Sequence, residues 1–375
     1  MKIIYFTLAL TFAFGFSFAS HAFHDPDRLL KRFKNMSELA QRKKKGEEGW
    51  VQNVAAFGKN TPEDSPQVSS SKYDTFLADK NNLAAIVLKK GKITYERYNS
   101  DAGITINSLL SGLSMTKTAA GAVIGQLICE GKIKSLDDTA GEYSKFLSKT
   151  PYSNIKIRNI LQMNSGVNPE GRSDEKIFNL RMMGRGRKYG GKASVRGAIN
   201  FYDAASRKQG TMMNYHSSDP AALSVLAEDI TGEPLSKTFY ERIFTKFSPN
   251  GYFHWTSDAV GTTVTFAHLV MKARDWMAFG NYVMTGMKEK TCLGNFFSEG
   301  VNTAAKTPSD LRQYGFMSWV YSVNGKPSMV FQGHGGQFMV LDAAKENILL
   351  TISKHEKYEA GNLFSVIPDL AERLE

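Results

Sequence analysis

The chain has 375 residues, 42% of them hydrophobic and 22% charged, with a formal net charge of +11. This composition excludes a disordered chain, and the length allows one large domain or two smaller ones. Positive residues cluster at Lys31, Arg32 and Lys34, at 42–45, at Lys89, Lys90 and Lys92, and at 181–192. These clusters read as solvated faces, the functional alternative being affinity for anionic envelope surfaces or an acidic substrate.

In chain order, residues 1–22 read as a secretory signal. Lys2 supplies the positive start, an apolar run follows, and Ser20-His21-Ala22 offers small residues at the cleavage positions. The alternative is a membrane anchor, but the run is only about 17 residues, the short limit for a spanning helix. No Cys follows it to carry a lipid. The mature protein is therefore expected in the periplasm or secreted, with no stable membrane insertion after cleavage. Residues 23–72 form a polar N-terminal arm with one helix over 27–45, and the compact domain is expected over 73–375.

Two strand-like runs, 83–88 and 92–98, are joined by Lys89-Lys90-Gly91, a hairpin signal. Residues 105–112 read as a polar loop. Apolar residues then recur at helical spacing over 114–130, with Gly131 as the stop. A short helix is expected over 155–163. Residues 166–197 are rich in Gly and Arg and lack periodicity, as a lid or binding loop would. Helices are expected over 221–230, 236–247 and 267–287, strands over 328–331, 338–341 and 348–353, and a last helix over 363–374. Strands at both chain ends around a helical stretch imply an α/β (α+β) fold: an antiparallel sheet flanked by helices, plus a helical domain. Cys129 and Cys292 allow a disulfide, but nothing in the pattern supports one. They read as one buried thiol and one incidental one.

The chemistry concentrates at Ser114-Met115-Thr116-Lys117. Three residues apart on a helix, the Ser hydroxyl and the Lys amine share a face. A serine hydroxyl needs a base to become a nucleophile, and a neutral lysine is one. Ser69, Ser153 and Ser173 also precede a Lys by three, but in polar or loop-like sequence. Only Ser114 opens a long apolar helix. Gly112-Leu113-Ser114-Met115-Thr116 also approaches a nucleophile elbow, with His334 or His355 as base. That elbow needs a buried strand before the serine, and 101–111 reads as a polar loop. Tyr215 in Tyr215-His216-Ser217 offers a hydroxyl that relays a proton between nucleophile and leaving group. In Gly333-His334-Gly335-Gly336-Gln337 the glycines permit close approach of a ligand, at Gly333 and Gly335. The backbone N–H groups of Ser114 and His334 are the candidate oxyanion donors. No other His or Cys stands at ligand spacing from His334, so no metal site is expected.

These elements, in this order, resemble the serine β-lactamase/penicillin-binding-protein superfamily, nearest its class C-related branch of esterases, D-amino-acid-specific peptidases and 6-aminohexanoate-oligomer hydrolases. The match also takes in Leu136-Asp137-Asp138, Met163-Asn164-Ser165-Gly166-Val167, Thr231-Gly232-Glu233-Pro234-Leu235 and Ala273-Arg274-Asp275. The resemblance implies Ser114 as acyl-accepting nucleophile, Lys117 as its base and Tyr215 as relay. Ser217 stands where the family has the substrate-binding Asn of Y-x-N. The family's K-T-G aligns with Phe331-Gln332-Gly333, or alternatively with His334-Gly335-Gly336, and its lysine is missing either way. The resemblance thus implies an ester or amide substrate rather than efficient β-lactam hydrolysis or transpeptidation. The basic 181–192 loop is the candidate substitute for the lost charge. The expected partner is a small-molecule ester or amide, with no nucleic acid, no metal and no organic cofactor. The alternatives are a non-catalytic envelope-binding protein on this scaffold and a β-lactamase or D,D-peptidase.

Overall fold

The computed structural model describes residues 53–58, 71–167, 194–199, 207–258, 260–308 and 312–355. The expected signal at 1–22, the helices over 27–45 and 363–374, and most of the 166–197 excursion lie outside these residues.

The hairpin forms as its turn dictates. Strands β2 (Asn82–Lys89) and β3 (Lys92–Tyr98) are linked by Lys90 and Gly91, both at positive φ. Positive φ at both central positions gives the turn whose twist matches the flanking strands. In chain order, β1 is Asn53–Gly58, β4 is Leu109–Ser111, β5 is Tyr252–Ser257 and β6 is Leu269–Lys272. They are followed by β7 (Ala305–Lys306), β8 (Arg312–Tyr314) and β9 (Trp319–Val323). The last strands are β10 (Lys326–Gly333), β11 (Gln337–Asp342) and β12 (Asn347–Ser353). An eight-stranded antiparallel sheet has the order β3-β2-β12-β11-β10-β9-β8-β7, so the N-terminal hairpin closes against the last strand as expected. The four-stranded sheet β1-β5-β6-β4 was not foreseen, and it recruits part of the polar arm as β1.

The helices are α1 (Ser71–Leu77), α2 (Thr116–Cys129), α3 (Ile157–Leu161), α4 (Ser218–Thr231), α5 (Leu235–Phe239), α6 (Ala273–Glu289) and α7 (Cys292–Asn302). Helix α5 runs through a π turn at Tyr240–Phe244 to Thr245–Phe247. Helix α2 is buried almost all round, which its continuous Ala, Val, Ile and Leu content requires. It packs against α4, α5 and α7, while α6 crosses β2, β11 and β12.

Three expectations need correction. The helix expected over 267–287 starts only at Ala273. Leu269, Val270 and Met271 instead form the buried strand β6, because a short apolar run fits a strand buried on both faces as well as a helix. The loop expected before Ser114 contains β4, which pairs with β6. Cys129 and Cys292 are disulfide-bonded, with Cα atoms 5.8 Å apart, rather than a buried and an incidental thiol. The bridge joins the end of α2 to the start of α7 across 163 residues. Replacing both cysteines by Ala is expected to cost about 2–4 kcal/mol of stability, read by urea unfolding under oxidising conditions.

Glu228 on α4 ties that helix to the segment entering β6. Its carboxyl accepts from Thr262 Oγ1 at 3.0 Å, from the Thr263 N–H at 3.3 Å and from Arg196 at 3.3 Å. Burial nevertheless outweighs these donors and pushes its pKa from 4.5 to about 7. Between those values the folded protein holds more protons than the unfolded chain, so stability falls as pH rises from 4.5 towards 7. The expected loss is on the order of 3 kcal/mol. Melting curves across that window should be flatter for Glu228→Gln than for the wild type.

Candidate active site

Ser114 sits in a single 3₁₀ turn, Leu113–Met115, between β4 and α2. Leu113 is at φ 45°, a conformation that costs a non-glycine residue energy and persists only where packing enforces it. The turn is enforced from several sides. The Gly112 N–H donates to Leu269 O at 3.1 Å, and the Leu269 N–H donates to Thr116 Oγ1 at 3.1 Å. Trp276 Nε1 donates to Leu110 O at 3.1 Å. A Cβ on Gly112 would lie 2.3 Å from the Trp276 ring, so only glycine fits. The strand before the serine gives the turn an elbow-like entry. Ser114 Oγ is met by Lys117 Nζ, and His355 Nε2 bonds to Asn82 Oδ1 at 2.8 Å.

Lys117 is 3% exposed. Its Nζ lies 3.0 Å from Ser114 Oγ and donates to the Phe266 carbonyl at 2.7 Å. The 3₁₀ turn running into the start of α2 therefore brings the two side chains together, and a backbone carbonyl from the loop before β6 aims the amine. That loop is held in turn by Ser224 Oγ, which donates to Thr263 O at 2.8 Å. The Phe266 carbonyl left no signal in the sequence, because any residue carries one.

Tyr215 joins this pair through its ring: Lys117 Nζ stands 4.8 Å from the ring centroid. Its chain neighbours anchor it to Met163. The Asn214 N–H donates to Met163 O at 2.8 Å, and the His216 N–H contacts Met163 Sδ at 3.4 Å. Behind it lies a buried polar cluster. Asp219 is fully buried and accepts from Tyr152 OH at 2.8 Å and Ser165 Oγ at 2.7 Å. His216 Nε2 is 3.4 Å from Asp219 Oδ2, and His216 Nδ1 is 2.6 Å from Ser218 Oγ. Tyr215 also stacks on Trp319, with centroids 5.4 Å apart and planes at 19°, and meets the edge of Tyr314. Burial, then the proximity of Tyr215 and Asp219, pushes the Tyr314 phenol up, so it stays neutral.

The other predicted residues are placed as follows. The end of β10 abuts the serine turn, and a Cβ on Gly333 would lie 2.3 Å from Gly112 O. His334 and Gly335 occupy the turn to β11, where Gln337 Nε2 donates to His334 O. Gly335 faces the His355 carbonyl; a Cβ there would lie 3.1 Å from it. Ser217 is buried at the start of α4, one residue before it. Sequence reasoning missed Asp219, Tyr152, Ser165 and the Trp319/Tyr314 wall. Only Asp219, four residues beyond Tyr215, had a local cue. Among the described residues no cluster of His, Cys, Asp and Glu is suited to a metal ion, and no helix is long and apolar enough to cross a membrane.

The fold that holds this turn is shared with known proteins. A 6-aminohexanoate-dimer hydrolase assigned in Bacillus anthracis has a similar fold, with a TM-score of 0.75 at 18% identity over 94% of this chain and 96% of that one. EstCE1, a hydrolase with promiscuous acyltransferase activity, superposes with a TM-score of 0.60 at 14% identity over 80% of this chain and 96% of its own. A D-stereospecific amidohydrolase from Streptomyces sp. gives 0.56 at 14% identity, covering 76% and 93%. No curated protein matches the sequence. The Beta-lactamase family model matches residues 73–362, more than half of the chain, and the chain therefore belongs to that family of hydrolases.

Proposed function

We propose that the protein hydrolyses an ester or amide through an acyl-enzyme on Ser114. The observation that carries this reading is the 3.0 Å contact between buried Lys117 Nζ and Ser114 Oγ. Lys117 Nζ donates to the Phe266 carbonyl, which holds it against Ser114 Oγ, and the reaction requires its unprotonated form. Ser114 Oγ attacks the substrate carbonyl carbon as its proton passes to Lys117 Nζ. The tetrahedral oxyanion is met by the backbone N–H groups of Ser114 and His334. As the C–O or C–N bond breaks, the leaving group takes the proton from Lys117, relayed by Tyr215. Water, deprotonated by the same groups, releases the acid and returns the serine.

The end of the sheet strand beside the serine carries Phe331, Gln332 and Gly333, with no lysine at these three positions, which favours simple esters and amides over β-lactams. The protein acts outside the cytoplasm on this reading. The apolar segment at 3–19 supports it, as does a disulfide of the kind that persists in oxidising compartments. Stopped-flow hydrolysis of nitrophenyl esters tests the activity: a burst of nitrophenolate matching the enzyme concentration is expected when the acyl-enzyme accumulates. Absence of turnover on esters, anilides and penicillins alike would contradict it.

A further inference from the structure

We infer that Trp319 is a positioning residue for the reaction at Ser114. It holds the face of the Tyr215 ring against Lys117, where the ring takes the third N–H of the ammonium that forms when Ser114 gives up its proton. The inference rests on the hydrolase reading above.

The need follows from what surrounds the amine. In acylation the Ser114 Oγ–H bond breaks, Oγ bonds to the substrate carbonyl carbon, and the proton joins the lone pair of Lys117 Nζ. The product is a cation on a side chain that is 3% exposed. A buried ammonium is unfavourable unless its charge is met and its three N–H donors are satisfied. Among the described residues Lys117 Nζ meets no carboxylate. Its neighbours are Ser114 Oγ at 3.0 Å, the Phe266 carbonyl at 2.7 Å and the Tyr215 ring, whose centroid is 4.8 Å away. Two oxygens take two of the donors, and the negative face of the ring takes the third.

The relay proposed above belongs to the Tyr215 hydroxyl, whereas the contact with the amine is made by the ring face. That contact works only while the cation stands over the face, so the ring must be held. Tyr215 is 37% exposed, and its own burial does not hold it. Trp319 is buried and stacks on it, with centroids 5.4 Å apart and planes at 19°. Tyr314 meets both rings edge-on, at 5.8 Å from Tyr215 and 5.0 Å from Trp319.

Trp319 is itself fixed. It opens β9, where its backbone pairs with Tyr314 of β8 on one side and Val330 of β10 on the other. The Arg312 guanidinium lies 4.1 Å from its ring centroid. Trp319 therefore passes the rigidity of the eight-stranded sheet to a partly exposed ring on another segment of the chain. The other ionisable groups of this region are His216 and Asp219 behind Tyr215, Tyr314 at its edge and Arg312 over Trp319. None of them is a neighbour of Lys117 Nζ, so the ring and the Phe266 carbonyl are what offset the charge formed there.

The test follows the rate at which a fluorophosphonate labels Ser114, across the pH range in which the protein stays folded. Fluoride leaves without needing a proton, so this rate reports activation of the serine and not the relay. For wild type it should fall towards low pH, as Lys117 takes up a proton beforehand. Trp319→Leu should lower the plateau rate by about tenfold and move the acid limb down by about half a pH unit to one unit, because the ammonium is held less well. Trp319→Phe, which keeps a ring to stack, should recover most of both. Tyr215→Phe, which keeps the ring alone, should label about tenfold faster than Tyr215→Leu. Thermal melts check that each variant is folded; if Trp319→Leu is not, the two Tyr215 variants decide. Three results would overturn the inference: a Trp319→Leu that labels like wild type, one that is slower by the same factor at every pH with its acid limb unmoved, as a mere brace for the pocket would be, or a Tyr215→Phe no faster than Tyr215→Leu. A wild type that takes no label at all is a different outcome; it removes the hydrolase reading and this inference together.

Discussion

Lys117→Met is expected to lower ester turnover by about 10³-fold or more while the protein stays folded. The size follows from what the amine does. It is the group 3.0 Å from Ser114 Oγ, and its other bond, to the Phe266 carbonyl, only aims it. Without it the serine proton has no acceptor at the start of the reaction. Methionine replaces the buried stem of the lysine with an unbranched side chain, so cavity formation is small compared with alanine. The Phe266 carbonyl loses a donor, which costs about 1–3 kcal/mol of stability. Steady-state kinetics beside a thermal melt separate the two effects. A Lys117→Met protein that turns over ester within about tenfold of wild type would remove Lys117 from the chemistry.

Asp219→Ala is expected to destabilise the protein by about 3–5 kcal/mol and to lower turnover as well. The fully buried carboxyl organises Tyr152, Ser165 and His216 at once. Alanine would leave two hydroxyls in a sealed space without their acceptor, each costing its own desolvation, and would remove the carboxylate 3.4 Å from His216 Nε2. His216 follows Tyr215 in the chain, so loosening it moves the ring that faces Lys117. Asp219→Asn, which keeps the shape and one acceptor oxygen, should cost less on both measures. Urea unfolding with a change below about 1 kcal/mol for Asp219→Ala would show that the cluster does not hold this part of the fold.

The sequence made legible what is local. The hairpin was readable because Lys90 and Gly91 carry the turn between two apolar runs, and both take positive φ. The Ser114/Lys117 pair was readable because positions three apart meet on one turn of helix. Strand β6 was misassigned because Leu269-Val270-Met271 has no period that separates a buried strand from a buried helix. Strand β5 was missed for the same reason, being buried almost throughout and so lacking alternation. Contacts made by distant segments had no local trace. The Cys129–Cys292 bridge depends on α2 ending where α7 begins. The Phe266 carbonyl is backbone, and the Tyr215–Trp319–Arg312 wall forms only when β8 and β9 fold against the loop before α4.

The central claim is that Ser114 is the nucleophile. Intact-mass spectrometry after incubation with a fluorophosphonate tests it most directly, on wild type and Ser114→Ala in parallel, with peptide mapping of any adduct. Wild type should gain a single phosphonate mass on Ser114, and Ser114→Ala should gain none. An adduct of equal extent on Ser114→Ala, or on another residue of the wild type, would contradict the account.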